Sequence, residues 1–227
     1  MAVNFNFEKG LHRKGFKRVV GLDEAGRGPL AGPVVACAVM VKPSFKCLRS
    51  HLEQIKDSKK LSAKKREEFY KILTEHPNIE WGIGRVSEKV IDKINILEAT
   101  KLAMLKSIKD LSRKLSPFSC YRHKKEIIDF LILDGRMKLD LPVAQTSIVK
   151  ADDKIFSCVA AGIIAKVTRD RLMKRYHEKY SLYGFDRHMG YSTALHRKML
   201  KEYGPCRIHR RSFAPIKTCA FRRILVN

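Results

Sequence analysis

The chain has 227 residues, 44% of them hydrophobic, enough for one sizeable domain with its own core or a domain with a small appendage. Lys and Arg number 47 against 23 Asp and Glu, and the resulting formal net charge of +24 is spread along the chain, which favours a polyanionic partner. Charge alone leaves open whether that partner is a substrate or the resting place of a basic protein on ribosomal RNA or a membrane surface.

Arg18 to Leu22 is a short apolar run ending at Asp23, and Val34 to Val41 is a second, rich in valine; both read as strands joined by a Gly/Pro-rich connection. Leu61 to His76 has helical spacing, with Ser62 as N-cap and Pro77 as stop. Ile79 to Val86 reads as a third strand. From Ser87 to Leu111 apolar residues recur at helical intervals, and Asn95 with Glu98 resembles a capping box, so two successive helices are expected. Ser112 to Lys125 is polar and basic and reads as an exposed connection. Ile127 to Leu133 is an almost continuous apolar run, as in a strand buried on both faces, and ends at Asp134-Gly135. Ala144 to Val149 makes another strand, Phe156 to Tyr180 a long helix, and Thr193 to Tyr203 a last helix before the basic segment Arg207 to Arg211. This order implies an α/β domain with a mixed sheet.

The start, MAVNFNFEKG, lacks the charged and apolar regions of a secretory leader, and the longest weakly polar run, Pro29 to Val41, is too short for a membrane span of roughly 20 residues. Six irregularly spaced cysteines with no C-x-x-C read as reduced thiols. Cys206 and His209 are possible zinc ligands, but a structural site needs about four and no second pair is evident. A cytoplasmic protein with no membrane partner is expected.

Asp23 and Asp134 each close an apolar strand, Glu24 follows Asp23, and Asp152 lies just past the last strand. In open α/β sheets ligand sites lie beyond the carboxyl ends of strands. If the first and fourth strands are parallel neighbours, these carboxylates converge, and their repulsion calls for a cation or raised pKa values. Oxygen ligands without His or Cys select a hard ion, Mg²⁺ or Mn²⁺, and two such ions would serve phosphodiester hydrolysis. Taken singly, each acid is equally a turn or cap residue, and Asp153 reads as an N-cap or first-turn residue of the long helix.

The segment Gly21-Leu22-Asp23-Glu24-Ala25-Gly26-Arg27-Gly28-Pro29 resembles the opening signature of the bacterial ribonuclease HII family. The resemblance runs on through Asp57-Ser58-Lys59-Lys60-Leu61-Ser62, Leu133-Asp134-Gly135, Lys150-Ala151-Asp152, Ala165-Lys166-Val167-Thr168-Arg169-Asp170, Tyr183-Gly184-Phe185, His188-Met189-Gly190-Tyr191 and His209-Arg210-Arg211-Ser212-Phe213. It implies the ribonuclease H-like fold over residues 1–227, with a lead-in of about 17 residues and a helical, basic extension from about 181. The short stretch before the signature fits the HII rather than the HIII type, which carries an extra N-terminal domain.

The activity so implied is endonucleolytic hydrolysis in RNA–DNA hybrids and 5′ to ribonucleotides embedded in duplex DNA, leaving 5′-phosphate and 3′-hydroxyl ends, in DNA replication and repair. By the same resemblance the catalytic metal site falls on Asp23, Glu24, Asp134 and Asp152. The family's Gly-Arg-Gly element falls on Gly26, Arg27 and Gly28, and its junction-sensing tyrosine on Tyr191. Glycines let the backbone approach a 2′-hydroxyl, Arg27 suits a phosphate, and an aromatic ring packs on a deoxyribose. Gly26 and Gly28 are otherwise turn formers, and Tyr191 core. Lys59, Lys60, Lys166 and Arg169 are either phosphate contacts or solvated charges. His188, His196 and His209 are not needed as bases when metal ions activate water. Three positions depart from the family: Ala151 for glycine, Asp153 for a small or hydroxyl residue, and Gly162 for serine. The sequence names no protein partner, and a monomer is expected.

Overall fold

The computed structural model describes residues 3–45, 61–116 and 128–218. In chain order these hold α1 (Asn6–Arg13), β1 (Val19–Ala25), β2 (Val34–Val41), α2 (Ala63–Glu75), β3 (Ile79–Val86), α3 (Glu88–Leu115), β4 (Phe130–Asp134), β5 (Ala144–Ile148), a 3-10 turn (Ala151–Asp153), α4 (Phe156–Lys179), a second 3-10 turn (Ser181–Tyr183), α5 (Phe185–His188) and α6 (Ala194–Tyr203).

The strands form one sheet in the order β3-β2-β1-β4-β5, with β1–β2 and β2–β3 antiparallel and β1–β4 and β4–β5 parallel. The mixed sheet read from the element order is therefore present. Every residue of β2 is buried, because both faces are covered. Its alternate residues divide cleanly: Val35, Cys37, Val39 and Val41 join α4 and α2 on one side, while Val34, Ala36, Ala38 and Met40 meet α3 on the other.

Local chemistry explains the boundaries. Ser62 caps α2 by accepting from the amide of Lys65. The helix α3 breaks at Asn95, whose φ of 65° is non-helical and whose side chain accepts from the amides of Leu97 and Glu98, so two helical segments meet there as the capping pattern suggests. Its second segment runs on to Leu115, where an exposed connection had been expected from Ser112. Leu111 is fully buried and Leu115 packs against the same core, so an apolar stripe outlasts the polar composition.

One further reading is corrected: Asp153 lies in a 3-10 turn and is neither the N-cap nor a first-turn residue of α4, while the N-terminal lead-in contains α1. The first turn of α4 is served instead by Glu8 of α1, whose buried carboxylate Oε1 accepts from the amide and hydroxyl of Ser157 at 2.9 and 2.8 Å. Among the described residues no helix is long and apolar enough to cross a membrane.

Candidate active site

The parallel pairing of β1 with β4 sets Leu22 opposite Leu133, so the next residues, Asp23 and Asp134, stand side by side at the carboxyl ends of neighbouring strands. Such strands are about 4.8 Å apart. Asp134 Oδ1 accepts from the amides of Ala151 at 2.7 Å and Asp152 at 3.4 Å. One acid thereby ties the end of β4 to the turn that carries another. Lys150, with a φ of 61°, reverses the chain into that turn. Ala151 is completely buried, its methyl accommodated in the turn.

Asp23 is held from below by α4. Its Oδ2 lies against the bare backbone of Gly162 so closely that a Cβ there has no room unless the carboxylate moves. Glycine at 162 therefore matches the position Asp23 takes in this chain. Asp23 Oδ1 also accepts from the amide of Glu24 at 2.7 Å.

Burial pushes the Asp23 carboxyl well above its ordinary value, and the charges of Glu24 and Asp134 push it further. Burial raises Glu24 as well, against the lowering effect of Arg27, whose Nη1 lies 3.2 Å from Glu24 Oε1. Glu24 Oε2 is buried with no hydrogen-bond partner among the described residues.

Buried, mutually repelling carboxylates and an unused oxygen suit a hard divalent cation. Among the described residues, no three His, Cys, Asp or Glu side chains are already arranged to hold an ion. Asp134 has one oxygen, Oδ1, turned to the backbone amides of the 151–153 turn.

Asp23, Glu24, Gly26, Arg27, Gly28, Asp152, Lys166 and Tyr191 line one open cleft of about 380 Å³. Tyr191 is 43% exposed, not core, and Lys166 Nζ lies 5.9 Å from its ring centroid while holding Asp170 at 2.7 Å. Arg66, on α2, lines the same cleft and was not singled out in the sequence, where it is one basic residue among many. Lys59 and Lys60 lie outside the described residues.

Arg169 is placed differently from the sequence reading. It is fully buried and donates to the carbonyls of Pro33, Met189 and Ala31, each at 3.0 Å, so it holds the walls of the cleft and does not reach a phosphate. Gly26 has a φ of 97°, and a side chain there would collide with Arg169, so glycine is required on both counts. His188, His196 and His209 are also buried. His196 Nδ1 contacts the carbonyl of Tyr191 at 2.9 Å, its Nε2 meets His209 Nε2 at 2.9 Å, and His209 Nδ1 meets Cys206 Sγ at 3.1 Å. This network braces the backbone of Tyr191 and does not line the cleft.

Residues 20–216 match the sequence profile of the family Ribonuclease HII. A ribonuclease HII of Bacillus subtilis is 45% identical over 213 residues, which cover 94% of this chain and 76% of that protein. Among solved structures, the ribonuclease H2 of Pyrococcus horikoshii superposes with a TM-score of 0.65 at 26% identity, covering 88% of this chain and 96% of the other. A ribonuclease HII of Archaeoglobus fulgidus, solved in complex with PCNA, gives a TM-score of 0.65 at 26% identity, with 86% and 95% covered.

Proposed function

The chain belongs to the ribonuclease HII family, whose members are divalent-metal-dependent endonucleases of the RNA in RNA–DNA hybrids, and from that premise we propose that it also cuts on the 5′ side of single ribonucleotides embedded in duplex DNA. The observation that carries this reading is one cleft lined both by acids from the ends of β1 and the 151–153 turn and by the Gly26–Gly28 loop with Tyr191. Chemistry and sugar reading would then share one wall.

In this reading Asp23, Glu24, Asp134 and Asp152 hold two hard divalent ions, Mg²⁺ or Mn²⁺. Bound there, the ions supply water activation and neutralise charge on the scissile phosphate and the leaving oxygen. The chain's own residues do the rest. Gly26 to Gly28 bring bare backbone against the ribose, where a 2′-hydroxyl both donates and accepts. Arg27, whose side chain is exposed, exchanges its contact with the largely buried Glu24 for a phosphate oxygen. Lys166 and Arg66, at the rim, neutralise backbone phosphates without choosing sequence. Tyr191 presents a ring face to the neighbouring deoxyribose. Incision leaving 5′-phosphate and 3′-hydroxyl ends would start removal of ribonucleotides during replication and repair in the cytoplasm.

The test is incision of a duplex carrying one ribonucleotide, with both product ends mapped. Activity restored to chelator-treated protein by Mg²⁺ or Mn²⁺, with a 3′-hydroxyl upstream of the ribonucleotide, supports the reading. A 2′,3′-cyclic phosphate end, or activity that survives chelation, contradicts it.

A further inference from the structure

The loop from Gly26 to Pro33 is held from inside by two buried guanidinium groups, and neither belongs to the cleft-facing set. Arg210, from the segment after α6, is fully buried. Its Nη2 donates to Gly26 O at 2.6 Å and Gly32 O at 2.9 Å, its Nη1 to Arg27 O at 2.8 Å, and its Nε to Gly32 O at 3.0 Å. Its amide donates to Leu30 O at 2.8 Å, and Gly32 N donates to Ile208 O at 2.9 Å. Arg169 grips the far side of the same loop through Ala31 and Pro33.

The acceptors of both side chains among the described residues are main-chain carbonyls, not carboxylates. Burying a guanidinium is costly in itself, and here that cost is offset by the hydrogen bonds it donates to these carbonyls. What the rigid, planar five-donor fork provides is geometry. It fixes where the carbonyls of residues 26, 27 and 32 lie relative to one another. In a trans peptide the N–H points opposite to the preceding carbonyl. With the carbonyls of Gly26 and Arg27 turned inward to Arg210, the amides of Arg27 and Gly28 are turned away from it. Both residues are exposed and line the cleft, and neither amide has an acceptor among the described residues.

We propose that Arg210 is a positioning residue for sugar recognition: by taking up the carbonyls of Gly26, Arg27 and Gly32 from behind, it aims the amides of Arg27 and Gly28 into the cleft as donors for a ribose 2′-hydroxyl. The inference rests on the reading that residues 26–28 meet the ribose, and extends it to a residue that never touches substrate.

The experiment measures competitive binding of two matched duplexes, one with a single ribonucleotide and one all-DNA, in Ca²⁺ to suppress cleavage. It compares wild type, Arg210→Lys and Gly28→Ala, and records Mn²⁺ affinity and Tm for each. Lysine keeps the charge but loses the fork. Arg210→Lys is expected to cut the preference for the ribonucleotide duplex by about tenfold, equivalent to ~1.4 kcal/mol. Its all-DNA affinity and Mn²⁺ affinity should stay within about twofold, because Asp23 and Glu24 are fixed by β1. A lower Tm with an unchanged preference would show Arg210 to be structural only and overturn the proposal.

Gly28→Ala separates the two layers: a methyl there meets only Tyr191 at 3.8 Å, so the fold tolerates it. If Gly28→Ala keeps the preference, the reading of the loop is wrong; if it loses the preference while Arg210→Lys keeps it, only the role of Arg210 is wrong. Should Arg210→Lys not fold, amide NMR of the wild type decides. The Arg27 and Gly28 amides must then shift on binding the ribonucleotide duplex and not the all-DNA duplex, and equal shifts with both overturn the proposal.

Discussion

Asp134→Asn separates the two jobs assigned to Asp134. The asparagine Oδ1 still accepts from the amides of Ala151 and Asp152, so the tie between β4 and the 151–153 turn survives. Replacing a charged acceptor by a neutral one costs about 1 kcal/mol for the short bond, and the 3.4 Å contact adds little. Against this, removing the charge relieves its repulsion of Asp23 and Glu24, by ~1 to 4 kcal/mol per close pair at surface-like dielectric. The metal-free variant should therefore melt within a few degrees of wild type, or above it, 1 kcal/mol being about 2–4 °C for a chain of this size. Mn²⁺ at about 100 times its Kd should stabilise wild type by ~2.7 kcal/mol, and a hundredfold weaker site reduces that to ~0.4 kcal/mol. Differential scanning fluorimetry with and without Mn²⁺ reads this directly. Incision of the one-ribonucleotide duplex should fall at least ~10³-fold, about 4 kcal/mol of barrier, while duplex binding persists. Wild-type incision, or an undiminished Mn²⁺ shift in Tm, would refute the assignment.

Gly26→Ala meets both an unfavourable φ and the Arg169 side chain, and should cost at least ~1–3 kcal/mol together with most of the incision rate, measured by urea unfolding and cleavage. Glu8→Ala should cost ~1–3 kcal/mol, because the buried Ser157 amide loses its acceptor, and Glu8→Gln should recover most of this since burial already raises the Glu8 carboxyl above its ordinary range. Burial lowers His196 from 6.5 to about 4, and burial together with the neighbouring His196 lowers His209 to about 3. The unfolded chain binds more protons below pH 6.5, so stability is complete above that value and is lost as pH falls toward 4, at up to ~1.4 kcal/mol per unit per histidine. A Tm that stays flat from pH 7 to 5 would contradict neutral, buried rings. Duplex affinity should fall steeply with salt given the +24 charge, and Lys166→Ala should lower the slope of log affinity against log salt by about 1.

The strands and most helices were legible because their signals are local: the valine-rich apolar run of β2, the cap at Ser62, the break at Asn95. The pairing of Asp23 with Asp134 was legible only conditionally, since nothing local says that β1 and β4 are parallel neighbours, and the register supplied it. Two things escaped for one physical reason, that their partners lie far away in sequence. Glu8 serves α4 from 149 residues away, and Arg169 and Arg210 bind carbonyls 136 and 178 residues distant. A buried arginine and a solvated one are identical in composition, so Arg169 read as a surface charge. The run from Ser112 to Leu115 escaped because a single apolar stripe is easily hidden among lysines and arginines.

The account stands most directly on discrimination by the 2′-hydroxyl. Three duplexes of one sequence, all-DNA, one-ribonucleotide and long-hybrid, are incubated with the protein and Mg²⁺ or Mn²⁺, and cleavage positions are mapped at nucleotide resolution. The account predicts incision on the 5′ side of the single ribonucleotide, internal cuts in the hybrid's RNA strand and none in the all-DNA duplex. Cuts distributed without regard to the 2′-hydroxyl would contradict it.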